Sequence, residues 1–231
     1  MILHYLFKHL DDAWSLTVVH LRLSLVPVLL GLLIAVPLGV LVRRAPTARR
    51  VTTTVANIVF TIPSLALFVV LPTIIGTRVL DEANVIVALT AYTAALLLRA
   101  VLEALDAVPA KVRDAATAVG YPTIKRIVKV ELPLSIPVMV AGLRVVVVTN
   151  IAMVSVGSVI GIGGLGTWFI TGYETDKSGQ IVAGIIVLFV LAIVIDVLIV
   201  LTGRLVTPWE RAAHSTRRRR SALSAIAGGA R

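Results

Sequence analysis

The sequence contains no cysteine, which excludes disulfides, thiolate metal sites and thiol catalysis. Aromatic residues make up 5% and charged residues 15% of the 231 residues, whereas 58% are hydrophobic. A soluble domain of this size has no core large enough to hide so much apolar surface, so the proportions indicate an integral membrane protein. Strand-like alternation of apolar and polar residues is also absent, which favours a helical bundle over a barrel.

Five segments with little or no charge are each long enough to cross a bilayer. A helix rises about 1.5 Å per residue, so about 20 apolar residues span the hydrocarbon core. The predicted spans are residues 23–42, 55–75, 85–102, 134–160 and 181–203. Pro63 and Pro72 predict kinks in the second span. The sequence therefore predicts an all-α, polytopic membrane bundle of about five transmembrane helices.

The distribution of lysine and arginine predicts the orientation of the chain. Sixteen of the 22 basic residues lie in the loop after the first span, in the central loop (residues 106–135) and after residue 203. In a five-span chain these regions share one side, and basic residues accumulate on the cytoplasmic side. We therefore expect an external N-terminus and a cytoplasmic C-terminus in a bacterial inner (cell) membrane. This asymmetry explains the net charge of +10 without a nucleic-acid partner.

Composition divides the chain into three regions. Residues 1–20 lack the short apolar core and cleavage site of a signal peptide, and we expect an extracytoplasmic or interfacial segment. Residues 21–203 form the membrane domain that carries the central loop. Residues 204–231 are basic and rich in alanine, serine and glycine, which predicts a disordered cytoplasmic tail.

The central loop contains two short helical patterns joined at a glycine. Pro109 stands near the first turn of the first pattern, where its missing N–H costs nothing. Gly120 follows that pattern and can take a left-handed conformation that ends a helix. Ile124, Ile127 and Val128 share one face of the second pattern. The loop is therefore predicted to form a helix, a sharp turn and a second helix at the membrane surface.

The same loop resembles the signature of ATP-binding-cassette (ABC) importer permeases. That signature has a Glu-Ala-Ala triplet, a glycine four residues after the second alanine, and an Ile-x-Leu-Pro ending. This chain keeps the spacing, with aspartate and valine in place of the usual glutamate and isoleucine. The matching residues are Asp114, Ala115, Ala116, Gly120, Leu132 and Pro133. The resemblance implies that they couple the chain to ATPase subunits, since small side chains let a partner approach closely. An ordinary surface helix pair would use alanine for helix propensity alone and would not require the full spacing.

Further strings resemble the permeases of osmoprotectant importers, which carry glycine betaine, carnitine or choline. They lie at residues 61–67, 130–137, 141–144 and 161–166, and the whole resemblance covers about residues 21–203. It implies a type I ABC importer transmembrane domain that forms a translocation path with a second permease copy or a paralogue. Permeases for methionine and other amino acids share parts of these strings, so a methionine importer stays open as the alternative.

The resemblance also implies partners, because no Gly-Lys-Ser/Thr phosphate loop occurs in the sequence. ATP and Mg are then expected on a separate ATPase chain, with no cofactor bound by this chain and no catalysis of its own. An extracytoplasmic binding protein would deliver the solute, and bilayer lipid would surround the spans. The glycine-rich residues 161–166 predict either an adaptable outer-face element or close helix packing.

Several polar residues within the spans are candidates for function. Those suited to line a hydrated substrate path are Asn57, Thr61, Ser64, Asn150 and Ser155. Serine and threonine in membrane helices also bond to their own carbonyls or join helices. Arg99 and Arg144 lie near span ends, where long side chains reach the interface. Asp196 lies deeper, and its two interpretations are a structural ion pair, with Arg204 as one possible partner, or the proton relay of a secondary transporter.

Overall fold

The computed structural model describes residues 2–209, and in that range the chain is built of helices and short connections without a strand. The α-helices are α1 (Ile2–Lys8), α2 (Leu10–Val42), α3 (Pro46–Thr61), α4 (Ser64–Ile75), α5 (Glu82–Asp106), α6 (Ala110–Ala118), α7 (Thr123–Arg126), α8 (Leu132–Gly157), α9 (Thr167–Glu174) and α10 (Ser178–Val206). A π-helical turn (Ile127–Glu131) precedes α8 and a 3₁₀ turn (Ser158–Ile160) follows it. The predicted all-α class is confirmed. The predicted disorder of the tail concerns residues that, from 210 onward, lie outside the described range.

Helix α5 lies at the centre of the bundle and packs against α2, α3, α4 and α8. Its residues Ala88, Leu89 and Tyr92 are completely buried. Small residues allow α2 to lie close to α5, since a Cβ added at Gly31 or Gly39 would collide with side chains of α5. Close backbone approach through small residues is the usual way in which membrane helices gain packing energy.

Four helical stretches are long and apolar enough to cross a membrane. They are α2, α5, the continuous stretch Thr123–Ile160 and α10, and the bent pair α3–α4 gives a fifth if it counts as one span. This agrees with the prediction of about five. The boundaries differ from those expected, because α2 begins at Leu10 and α10 continues to Val206. The predicted boundary at residue 20 therefore falls inside a helix.

The second predicted span, residues 55–75, is not a single kinked helix. Helices α3 and α4 meet at Ile62 and Pro63 with a bend of 101°. Ile62 has the extended conformation φ −68°, ψ 131°, because the ring of a following proline disfavours the helical region for the residue before it. The sequence correctly located the disturbance at Pro63 but underestimated it. Pro72, in contrast, lies inside α4 without breaking it.

The second half of the central loop also differs from the prediction. The sequence predicts a separate second helix at the membrane surface, but α7, the π-helical turn and α8 follow one another without a break. Pro133 occupies the first turn of α8, where helices tolerate proline. The loop is therefore joined rigidly to the span that follows it.

Candidate functional site

Helix α6 ends in the glycine turn that the sequence predicted. Gly120 has φ +85°, in the left-handed region. The amide of Gly120 donates to the carbonyl of Thr117, and that of Tyr121 donates to the carbonyl of Ala116, both at 3.0 Å. These two bonds form a Schellman motif, which satisfies carbonyls that the end of a helix leaves free. The turn thereby fixes α6 against α7.

The six signature residues divide between an outward and an inward face. Asp114, Ala115 and Gly120 are exposed, so their surface is open to a partner. Ala116 is buried against its own chain, and Leu132 packs against the core cluster of α2, α5 and α8. Pro133 is half-buried in the first turn of α8. The coupling role of all six residues stays a prediction.

Beside the outward face lies an apolar surface that we call the loop patch, formed by Val119, Ile124 and Val128. These side chains are 74%, 78% and 55% exposed. The expected common face of the second helix is thus mostly turned outward, with only Ile127 half-buried. An open depression of about 590 Å³ runs along this patch between Pro122 and Lys129. An exposed valine and isoleucine cluster beside the small and acidic side chains of the outward face indicates a surface for another protein.

A buried ion network holds the loop to the bundle. Glu131 is fully enclosed, and its carboxylate accepts hydrogen bonds from Arg43 and from Arg126, the latter at 3.0 Å. Arg44 lies 3.7 Å from the same carboxylate. Arg43 also pairs with Asp106 at the end of α5, at 3.2 Å. Sequence reasoning missed this network because its members come from three separate stretches of the chain.

The network reaches α6 through a side-chain hydrogen bond. The Arg126 guanidinium donates to the hydroxyl of Thr117 at 2.5 Å. Arg43 donates to the carbonyl of Leu105 at 2.5 Å, at the end of α5. Arg49 reaches the second oxygen of Asp106 at 2.8 Å. Consecutive polar contacts therefore connect α6 with the ends of α2, α5 and α8.

Of the predicted path residues, Asn150 is the one that lies deepest in the bundle. It is completely buried, and its amide nitrogen donates to the Thr93 hydroxyl at 2.7 Å and to the Ser24 carbonyl at 3.2 Å. Asn150 thus links α8 to α5 and α2. Its carbonyl oxygen and the Ser155 hydroxyl are buried without a hydrogen-bond partner in residues 2–209.

The other three path candidates lie around the α3–α4 break. Asn57 and Thr61 are exposed, and Ser64 is half-buried. The carbonyl oxygen of Asn57 accepts a hydrogen bond from Arg99 of α5, while the Thr61 hydroxyl donates to the carbonyl of Ile58 at 2.7 Å. The structure thus separates the five candidates into an open group at the break and a buried group on α8.

Two of the charged residues within the spans, Arg144 and Asp196, form an ion pair. The Arg144 guanidinium donates two hydrogen bonds to the two carboxylate oxygens of Asp196, each at 2.7 Å. The partner of Asp196 is therefore Arg144 on a neighbouring span rather than Arg204. A carboxylate held by two bonds to arginine favours the structural ion pair over a proton relay.

The glycine-rich residues 161–166 are closely packed at the end of the bundle opposite the central loop. Ile162 and Leu165 are buried. The buried His20 of α2 accepts a hydrogen bond from the Leu165 amide at 3.2 Å through Nδ1 and contacts the Ile151 carbonyl at 2.9 Å through Nε2. Of the two interpretations, this geometry supports close packing. Sequence reasoning missed the role of His20 in holding this segment, because its partners are 131 and 145 residues away.

Residues 21–209 match the family described as the binding-protein-dependent transport system inner membrane component, so the chain belongs to that family. It has the fold of a type I ABC importer permease. A solved structure titled as inward-facing conformations of the MetNI methionine ABC transporter superposes with a TM-score of 0.74 at 27% identity, over 82% of this chain and 93% of the other.

Two curated relatives are similar over most of their length. The chain is 34% identical to the osmoprotectant import permease protein OsmW of Salmonella typhimurium, over 84% of this chain and 91% of the relative. It is 33% identical to the glycine betaine/carnitine/choline transport system permease protein OpuCB of Bacillus subtilis, over 82% and 86% respectively. The predicted family resemblance is thus confirmed.

We expect Glu131→Ala to destabilise the protein by about 3 kcal/mol, because it leaves the enclosed Arg126 without its counter-charge and leaves Arg43 with Asp106 alone. The measurement is the midpoint of thermal unfolding of the purified permease in detergent. Glu174→Ala is the control, since Glu174 is an exposed carboxylate at the end of α9. Equal midpoints for both variants would contradict a stabilising network around Glu131.

Proposed function

We propose that this chain is the permease subunit of an ATP-driven importer for quaternary ammonium osmoprotectants such as glycine betaine, carnitine or choline. The observation that carries the solute class is the similarity, at 32–34% identity, to permeases whose names state osmoprotectants in general, glycine betaine, carnitine and choline, or choline alone. The strings at residues 61–67 and 161–166 support it. The methionine alternative rests on the structural likeness to MetNI, whose sequence identity is lower, at 27%.

Two ATPase subunits, which hold ATP and Mg, would dock on the outward face of the central loop. The exposed Asp114 and Ala115 and the neighbouring loop patch support this docking, since they combine small, apolar and acidic side chains on one surface. A second permease copy or a paralogue would complete the translocation path, and an extracytoplasmic binding protein would deliver the solute. Aromatic residues are few in this chain, so we expect the cation–π recognition of a quaternary ammonium in the binding protein.

Transport would then follow from movement of the loop. When the ATPase subunits close on ATP, they displace α6 and α7. The buried ion pairs between Glu131 and the two arginines tie this displacement to α2, α5 and α8. The spans would thus rearrange between inward-open and outward-open states without any covalent change in the permease.

Uptake in cells tests the solute class. The permease is expressed with its own ATPase and binding protein in a strain that lacks osmoprotectant import. We expect accumulation of radiolabelled glycine betaine, carnitine or choline well above the empty-vector level, and none of labelled methionine. Uptake of methionine alone would contradict the proposed solute class and indicate an amino-acid importer. Uptake that persists without the ATPase would indicate a secondary transporter.

The coupling surface is tested with Ala115→Arg. A long charged side chain at this exposed position keeps the close approach of a partner from forming, so we expect uptake to fall at least tenfold. Ala48→Arg is the matched control, an exposed alanine on α3 at the same end of the bundle. Membrane levels of both proteins are compared by immunoblot. Unchanged uptake by Ala115→Arg would remove this residue from the coupling surface.

The proposed orientation is tested with single cysteines, for which the cysteine-free sequence provides a clean background. Glu174→Cys and Thr47→Cys place a thiol at exposed positions at opposite ends of the bundle. In cells whose outer membrane or cell wall has been made permeable, a membrane-impermeant maleimide should label Glu174→Cys. The same reagent should label Thr47→Cys only after the inner membrane is disrupted. The opposite pattern would invert the proposed topology.

A further inference from the structure

A groove with basic side chains lies between α8 and α10, away from the coupling surface. The lining residues that matter here are Val140, Arg144, Gly203, Arg204 and Thr207. Its volume is about 160 Å³, about five times the share of one water molecule in the liquid. Gly203 forms part of the floor, where a Cβ would come within 2.8 Å of Val140. Space in the groove thus depends on small residues at the helix crossing.

The groove is open to the bilayer. Helix α10 is the most apolar of the candidate spans, with a mean hydropathy of 3.3. It also has the smallest fraction of residues buried inside the protein. Phe189, Val197 and Leu201 on this helix are exposed. An apolar helix that is so little covered by its own bundle faces lipid chains. Whatever enters the groove from this side therefore arrives through the membrane.

Two arginines line the groove at different depths. Arg204 lies near the end of α10 and is exposed, whereas Arg144 lies beside Asp196, eight residues and about 12 Å further into the span. Two nitrogens of Arg144 bond to Asp196, and in residues 2–209 its Nη1 has no hydrogen-bond partner. Over the same residues Arg204 forms no ion pair. Both therefore have donors for a further oxygen ligand.

The position of Arg204 matches the level of lipid headgroups. Trp209 follows it by five residues and is partly exposed, and tryptophan is enriched at the membrane–water interface. From residue 204 to the end the sequence contains seven arginines against one acidic residue, Glu210. Such a basic excess attracts anionic lipids to the surface. Zwitterionic lipids lack the net charge that this region complements.

We propose that this groove binds the phosphate headgroup of an anionic phospholipid, with Arg204 and Nη1 of Arg144 as donors. The Thr207 hydroxyl is buried at the same end and donates to the Gly203 carbonyl, so it contributes to the shape of the groove rather than to the headgroup bonds. The acyl chains would lie against the apolar surface of α10. The site is separate from the central loop and does not depend on the transported solute.

The test is native mass spectrometry of the full-length permease in neutral detergent, titrated with phosphatidylglycerol or phosphatidylcholine. We expect one phosphatidylglycerol to be retained at concentrations at which phosphatidylcholine is not. Arg204→Gln should weaken its retention about fivefold, the order of affinity that one basic residue contributes near anionic headgroups. Inorganic phosphate and glycerol 3-phosphate should not displace it.

Two matched variants distinguish lipid binding in the groove from a general electrostatic attraction of anionic lipid to basic residues. Arg217→Gln removes the same charge from the tail sequence, and Arg78→Gln removes it from an exposed position at the other end of the bundle. Both should retain the lipid as the unaltered protein does. Equal loss in Arg217→Gln, equal binding of phosphatidylcholine, or displacement by glycerol 3-phosphate would each overturn the proposal. Thermal midpoints within one degree of the unaltered protein identify variants that remain folded.

Discussion

The enclosed carboxylate of Glu131 is the point on which the central loop depends. A carboxylate removed from water is stable only with counter-charges and hydrogen bonds, and here Arg43 and Arg126 supply both. Neither arginine is adjacent to Glu131 in sequence, so the pairing requires α2 and the start of α8 to meet. The same requirement positions the short helices α6 and α7, since Arg126 also holds Thr117. One buried acid thus fixes both the loop and the helix ends beneath it.

The opposite end of the bundle is organised by shape rather than by charge. Glycines at 157, 163, 164 and 166 leave space that neighbouring backbone fills, and His20 supplies the polar contacts to Leu165 and Ile151. A neutral imidazole suits this position, because one nitrogen accepts from an amide and the other can donate to a carbonyl. The two ends therefore differ physically: ion pairs hold one, and close packing with neutral hydrogen bonds holds the other.

The sequence predicted those features that depend on local chemistry. The apolar runs gave the spans, and Gly120 together with Pro109 gave the limits of α6, because a left-handed glycine and a proline act on their immediate neighbours. The size of the bend at Pro63 could not be predicted, since it depends on how α3 and α4 each pack against α5. The contacts of Asn150 were equally hidden, because Ser24 and Thr93 are 126 and 57 residues away.

Contacts between distant parts of the chain also decide how the central loop can act on the membrane helices. A turn that is fixed only by local bonds would let α6 swing without moving the spans. Here the π-helical turn joins α7 to α8 without a break, and Arg43 binds both Glu131 and Asp106. A displaced loop must therefore carry the ends of α2, α5 and α8 with it or separate charges that are shielded from water. Separating the buried ion pairs costs more free energy than moving the helix ends. The pairs therefore favour a loop and helix ends that move together as one rigid unit. Arg49 ties α3 to the same network through Asp106, whereas α4 lies beyond the bend of 101°. Helix α4 is therefore free to follow a different course from the helices that the ions hold.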